Sequence, residues 1–411
     1  MSRILDVYLQ ENLVGRLEQN TNGELSFTYS ANYLATAVYG ISLSLPLQGA
    51  PFTGAKVKAF FSGLLPEESV RARLAGYLGL SANNPFALLE AVGGDCAGAL
   101  ALYEPGLKPS TSEGQVQVLD NAQLQELLNL IKRQPMLAGD NGYRLSLAGA
   151  QDKLAVGFDN GQVRLIKGSP TTHILKPIIE HIQDSAHNEL FCMQLAKMIG
   201  LEVPEAALHF VNDTPYYLVS RYDRQIAPDG TVIRIHQEDF CQALGIASEI
   251  KYEREGGPNI ATCQALITKY GARPALDNIK LLKIILFNFL IGNADAHGKN
   301  FSLLYKSSKP ELAPAYDLLS TAIYPNLSNK MAMKIGGKYK PQEVYLHNFY
   351  KLVADTKLAQ ATMKRQIKSM TDKIIDAAAS LKTKLVSDGL SSSVFEDILK
   401  IIEKNAKRLS E

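Results

Sequence analysis

The sequence predicts an α+β chain in two parts, with strands and short helices in the first and helices alone in the second. Two observations carry this expectation. Up to about residue 240, short strand-like runs recur, as in the alternating Leu25-Ser26-Phe27-Thr28-Tyr29 and in Tyr216-Tyr217-Leu218-Val219-Ser220-Arg221-Tyr222. From about Lys251 onward the apolar positions recur at helical spacing, through residues 260–270, 278–290 and most of the stretch after Asn348. At 411 residues the chain is long enough for several lobes. The expected organisation is a β-rich N-terminal subdomain over residues 1–103, a linker over 104–120, a β-containing lobe over 121–250 and an all-helical lobe over 251–411.

Composition narrows the class. Hydrophobic content of 46% with 20% charged residues is that of an ordinary globular protein. Lys and Arg number 43 against 41 Asp and Glu, so no global field drives binding to nucleic acid or membrane. Cys96, Cys192, Cys241 and Cys263 lie far apart and form no C-x-x-C pair, which argues against a zinc site or a disulfide framework. The first residues lack a signal-peptide pattern, and the most apolar run, 284–291, is far shorter than the ~20 residues of a membrane span. A cytoplasmic location is expected.

Along the first part, Val7-Tyr8-Leu9 and Leu13-Val14-Gly15-Arg16-Leu17 read as a hairpin, and Ile41-Ser42-Leu43-Ser44-Leu45 as a further strand. Residues 67–77 and 85–92 read as short helices. The segment 104–116, with Pro105, Gly106, Pro109, Ser110, Ser112 and Gly114, has linker composition. A helix over 121–133 follows, with Leu124, Leu127, Leu128 and Ile131 on one face. Residues 143–158 then read as strand, small-residue turn and strand. A turn of small residues lets backbone N–H groups approach a phosphate. The strand 172–176 ends in Lys176. Glu189 lies thirteen residues on in a helix over 185–199 whose inward face is Leu190, Met193, Ala196 and Met198, and the two charges are placed to pair. Ile233 to Phe240 leaves a strand and enters a helix, so Glu238, Asp239 and Phe240 are expected to link the lobes.

The segment that concentrates chemistry is Ile291-Gly292-Asn293-Ala294-Asp295-Ala296-His297-Gly298-Lys299-Asn300, where an apolar helix gives way to glycine and small polar residues. Asp295 and Asn300 are five positions apart, the spacing at which phosphotransferase catalytic loops place a base and a metal-binding amide. Asp317, in Ala315-Tyr316-Asp317, supplies a carboxylate. Mg²⁺ takes hard oxygen ligands and keeps several waters, so one carboxylate and one amide, with the phosphates of ATP, complete a site.

With these pieces in order the chain resembles the HipA family of bacterial toxin serine/threonine kinases. The resemblance is carried by Phe61-Ser62-Gly63-Leu64-Leu65-Pro66-Glu67, Gly93-Gly94-Asp95-Cys96-Ala97-Gly98-Ala99, residues 146–153 and 235–245, Lys251-Tyr252, Gly256-Gly257-Pro258, residues 292–300 and Ala315-Tyr316-Asp317. It implies a two-lobed kinase-like fold with an added N-terminal subdomain. It further implies Asp295 as catalytic base, Asn300 and Asp317 as Mg²⁺ ligands and Lys176 as a phosphate contact. Ala148, Gly149, Ala150, Gln151, Asp152 and Lys153 become the phosphate loop and Glu238, Asp239 and Phe240 the adenine-binding linker. His297, Gly298, Lys299 and Tyr316, beside Asn300 and Asp317, become further nucleotide contacts, and Ser146 the autophosphorylated serine that silences the enzyme. The partners implied are a HipB-like helix-turn-helix antitoxin, operator DNA reached mainly through it, and a translation-related substrate such as an aminoacyl-tRNA synthetase, whose modification produces persistence. A DNA-bound co-repressor with weak catalysis and a small-molecule kinase are the competing readings. No His-Arg precedes Asp295 and no Phe-Gly follows Asp317, departures from ordinary protein kinases that the family shares.

Overall fold

The structure, a computed structural model, describes residues 2–109, 114–139 and 143–410. Ser110 and Ser112 of the expected linker lie outside the described residues. The chain divides into two compact units, the first of Met1–Pro177, His209–Glu249 and Ser302–Pro310, the second of Ile178–Leu208, Ile250–Phe301 and Glu311–Glu411.

The first unit is organised by two antiparallel arrays. A five-stranded sheet runs in the order Phe52–Thr53, Leu25–Tyr29, Asn12–Gln19, Arg3–Leu9, Leu100–Tyr103. Its alternating apolar residues, among them Leu5, Val7, Leu17 and Phe27, pack on Phe60, Phe61, Phe86 and Leu89 from the helices Ala55–Ser62 and Pro85–Val92. A second, six-stranded sheet takes the order Ala206–Val211, Thr214–Ser220, His173–Pro177, Leu154–Asp159, Gln162–Lys167, Gln115–Val118. Its core is filled by Leu124, Leu127, Leu128 and Ile131 from the helix Asn121–Ile131, the four positions the 3.6-residue period selects. Asp120 opens that helix with a capping box to Gln123.

Several expectations are corrected. Ile41 to Leu45 is no strand in a sheet. Only a single Ser42–Leu45 bridge forms, because the two serine hydroxyls of the alternation point inward, Ser42 Oγ to Glu238 Oε2 at 2.5 Å and Ser44 Oγ to the Gln242 carbonyl at 2.7 Å. Tyr143 to Leu147 does not form a hairpin with the strand Leu154–Asp159. It runs extended beside distant segments, with isolated parallel bridges from Leu145 to Asp95 and from Gly149 to Pro66. The strand expected through Tyr222 ends at Ser220, and the helix expected to Arg133 ends at Ile131.

In the second unit, Pro274–Ile291 is the central helix, with Leu281, Ile284 and Phe287 fully or nearly fully buried. The helices Ser185–Met198, Ile260–Tyr270, Lys357–Ser387 and Val394–Ser410 share the unit. Leu190, Met193 and Ala196 of Ser185–Met198 are buried as the periodicity predicts, but Met198 is 49% exposed because the helix ends there. The four cysteines are buried thiols. Among the described residues, no helix is long and apolar enough to cross a membrane.

Candidate active site

The second unit places Asp295, Asn300 and Asp317 on segments braced from several sides. The central helix stops at Gly292, whose φ of 72° makes it a left-handed cap. A side chain there would meet Ala322 Cβ and Ile401 Cγ2 at 2.8 Å, so both backbone and space demand glycine. Asn293 then folds back. Its Oδ1 accepts from the Asp295 amide at 3.0 Å and its Nδ2 donates to Asn288 Oδ1 at 2.8 Å. Thr321 Oγ1 accepts from the Ala294 amide at 2.7 Å, and Asn188 clamps Ser320 through both its N–H and its carbonyl, at 2.8 Å each. These bonds tie the Asp295 and Asp317 segments to buried helices, which is what holding a reacting geometry requires.

Asp295 is exposed, and the Tyr252 hydroxyl donates to its Oδ1 at 2.6 Å. The Tyr252 ring stands edge-on to the His297 ring with centroids 5.3 Å apart. Tyr252 stands in the Lys251-Tyr252 pair, which by its residues alone suggests no role for it. Its signal is weak, since nothing in Lys251-Tyr252 announces a partner forty residues away. His297 and Lys299 are buried, and the Tyr316 hydroxyl donates to the Lys299 carbonyl at 2.6 Å, so Tyr316 braces the turn Gly298–Asn300.

Asn300 and Asp317 are brought together. Asn300 Nδ2 donates to Asp317 Oδ2 at 3.0 Å, and Asn300 Oδ1 is buried with no hydrogen-bond partner among the described residues. An orphaned buried amide oxygen costs about 1–3 kcal/mol unless something satisfies it. With the adjacent carboxylate it forms a pair of hard oxygen donors that fits a Mg²⁺ ion with its remaining ligands from water and phosphate. Asp317 has φ of 57°, a left-handed conformation that Asp tolerates better than most residues. Among the described residues no cluster of three or more His, Cys, Asp or Glu side chains is arranged for a metal.

The first unit holds the other expected residues. Ser146 is 0% exposed, with its hydroxyl donating to the Leu64 carbonyl at 2.7 Å and its amide to the Asp95 carbonyl at 3.1 Å. Ala148 to Lys153 follows as a loop. Gly149, at φ of 117°, accepts from the Glu67 amide, Lys153 Nζ donates to the Ala148 carbonyl at 2.9 Å, and Arg73 pairs with Asp152 at 2.6 Å. Gln151 Nε2 reaches the Pro177 carbonyl at 3.4 Å, and Ala150 lies exposed at the turn. Lys176, 5% exposed, lies opposite Tyr217 in the sheet register with Nζ 5.6 Å from that ring's centre. Glu189 is buried in the helix Ser185–Met198 of the second unit.

Glu238 and Asp239 are strand residues paired with Leu303 and Ser302, and the division between units falls eleven residues later, after Glu249. Asp239 caps the helix Phe240–Leu244 through a box with Gln242, and Phe240 is fully buried. The Glu238 carboxyl accepts from Ser42 Oγ, the Leu43 amide and the Tyr305 hydroxyl. Burial pushes it up to about 7 despite those donors.

A buried ionic cluster was not visible in the sequence. Asp95 meets Arg224 at 2.7 Å, Arg221 at 3.3 Å and Arg234 at 3.3 Å, while Asp223 meets Arg221 at 2.9 Å and accepts from the Gly98 amide. Burial alone would raise the Asp95 carboxyl, but Arg234, Arg224 and Arg221 together hold it well below the usual carboxylate range. Arg221-Tyr222-Asp223-Arg224, three charges directly after an apolar strand, is the one signal that marks it. The cluster fixes the strand-like segment that carries Ser146, because Asp95 also exchanges backbone bonds with Arg144 and Ser146.

Comparison with known proteins places the chain in a family. Residues 5–103 match the HipA N-terminal domain and residues 145–380 the HipA-like C-terminal domain. Shewanella oneidensis HipA, solved with HipB and its operator DNA, superposes with a TM-score of 0.85 at 26% identity, covering 99% of this chain and 97% of that one. The fold is therefore the two-lobed α+β fold of that toxin. The putative kinase Y4mE of Sinorhizobium fredii is 43% identical over 383 residues, 92% of this chain and 91% of that protein. The serine/threonine-protein kinase toxin HipA of Shewanella oneidensis is 30% identical over 363 residues, 84% of this chain and 81% of its own length. The chain belongs to the HipA family, and these relatives bear the names of kinases.

Proposed function

We propose that this protein is an ATP- and Mg²⁺-dependent serine/threonine protein kinase that acts as the toxin of a toxin–antitoxin pair. The observation that carries the reading is the Asn300–Asp317 pair with its orphaned amide oxygen, on a braced segment that also presents Asp295 to solvent. Asp295 takes or orients the proton of the attacking hydroxyl, with its Oδ1 fixed by Tyr252. Asn300 Oδ1 and Asp317 hold the metal, which when bound neutralises charge on the transferred phosphoryl group. Ala148 to Lys153 offers backbone N–H groups to the phosphates, and Lys176 a cation to them. Glu238 to Phe240 offers backbone to adenine, and His297, Gly298, Lys299 and Tyr316 shape the nucleotide side of the turn.

In this reading Ser146 is the self-phosphorylation site. A dianion there would sit beside the phosphate loop, repel ATP and silence the enzyme. A HipB-like antitoxin supplies DNA affinity, in keeping with this chain's net charge of only +2 and with the neighbour solved together with HipB and operator DNA. The substrate is a translation-related protein of the aminoacyl-tRNA synthetase kind, and its modification slows growth into persistence.

The test is intact mass of unphosphorylated protein after incubation with ATP and Mg²⁺, beside an Asp295→Asn variant. One added phosphate on Ser146 in the unmutated protein alone supports the reading. Equal phosphate gain in a well-folded Asp295→Asn variant removes Asp295 from its role, and a phosphate mapped elsewhere removes Ser146 from its own.

A further inference from the structure

The second unit contains a pocket of about 290 Å³ that shares backbone with the Asp295 segment, since Gly292, Asn293 and Ala294 line it. Phe289, Leu327, Met331 and Ile401 contribute apolar side chains to its lining. Lys404 and Arg408, one helical turn apart on Val394–Ser410, bring two cations to it, and no acidic residue is among the described residues that line it. Like charges four residues apart on a helix repel by a few tenths of a kcal/mol, a cost that an anion between them would reverse. Arg408 is held in place, because its Nη1 donates to the Pro341 carbonyl and to Asn405 Oδ1, each at 3.1 Å. Asn405 in turn donates to the Phe289 carbonyl at 2.9 Å. A cavity near the lower end of ligand-site volumes, with apolar side chains and a few oriented polar groups in its lining, has the anatomy of a small-molecule site.

We propose that this pocket binds a small organic anion with a flat apolar body, of the aryl phosphate or aryl carboxylate class, and that its occupancy is felt at Asp295. The route is short. Asn293 lines the pocket and also accepts the Asp295 amide through Oδ1, so a ligand that orders Asn293 orders the backbone of Asp295. The site is distinct in its residues from Asn300, Asp317 and the proposed nucleotide contacts.

Phenyl phosphate is a suitable probe, titrated calorimetrically into the full-length protein without nucleotide, with benzyl alcohol as the neutral control. Saturable binding is expected, at least tenfold weaker for benzyl alcohol. Lys404→Glu, at an exposed position, should weaken phenyl phosphate binding at least tenfold with unchanged thermal melting, whereas Lys404→Arg should retain it within about threefold. Bound probe should also slow hydrogen exchange in a peptide spanning residues 292–297. Equal affinity of the unmutated protein and Lys404→Glu, equal binding of benzyl alcohol, or absence of saturable binding overturns the anion site. Unchanged exchange at 292–297 overturns its coupling to Asp295. None of these readouts depends on phosphate transfer, so they stand or fall apart from the proposed kinase activity.

Discussion

The Tyr252 hydroxyl donates a 2.6 Å hydrogen bond to Asp295 Oδ1. The bond fixes one carboxylate oxygen and thereby aims the other. A base held in one rotamer loses less orientational freedom on reaching the transition state than one that swings in solvent. Tyr252→Phe keeps the ring and its edge-on contact with His297 while deleting the bond. The rate of phosphate transfer should fall about tenfold, equivalent to about 1.4 kcal/mol, with little change in the KM for ATP and in thermal melting. Steady-state kinetics check this, and an unchanged kcat would show that Tyr252 does not position Asp295.

Asn300→Ala should raise the Mg²⁺ concentration for half-maximal activity by at least about tenfold and leave the fold intact, since it removes a buried oxygen that has no partner among the described residues. Asp317→Asn should do the same more severely. Magnesium titration of activity, with circular dichroism as the folding control, separates these outcomes from simple destabilisation.

Asp95→Asn leaves three buried arginines facing a neutral side chain. Breaking a buried ionic network in this way costs about 3–5 kcal/mol, measurable as a lowered urea midpoint. Because Asp95 exchanges backbone bonds with Arg144 and Ser146, the same variant should speed hydrogen exchange at residues 143–147.

Glu238 and His236 titrate with opposite effects. Glu238, at about 7 in the folded protein against an ordinary 4.5, holds a proton that the unfolded chain releases, so its contribution to stability falls as pH rises from about 4.5 to 7. His236, lowered by burial to about 4 from 6.5, contributes stability that is lost as pH falls through the same range. The two slopes offset. Glu238→Gln removes the first, and its stability should rise from pH 4.5 to 6.5 where the unmutated protein is flatter. The difference between the two is on the order of 3 kcal/mol across that window, read from urea unfolding at successive pH values.

Local chemistry was readable and distant pairing was not. The helix Ile260–Tyr270 matches its expected limits because Asn259 caps its start and Gly271 follows its end, and Pro85–Val92 because Asn84 caps it. The loop bearing Asp295 was legible because an apolar helix meets Gly292 there. By contrast Tyr143 to Leu147 alternates like a strand yet finds its backbone partner in Asp95, and Ser42 looks like an outward strand position yet serves Glu238 from 196 residues away. Nothing in a local pattern records which remote segment will satisfy it. The Asp95 cluster is hidden for the same reason, since its arginines lie 126 and more residues along the chain. Tyr252 shows the limit at the candidate site itself.

The complete burial of Ser146 sets a tempo. Its hydroxyl lies under the Leu64 carbonyl and cannot meet a phosphate donor until the segment lifts away. If lifting costs about 3 kcal/mol, roughly one molecule in a hundred or fewer is open at any instant. Under the proposed self-phosphorylation, modification of this serine proceeds at the rate of bond formation scaled down by that open fraction. In that reading the fold itself acts as a slow clock, and loosening the packing around Leu64 or Asp95 would make it run fast.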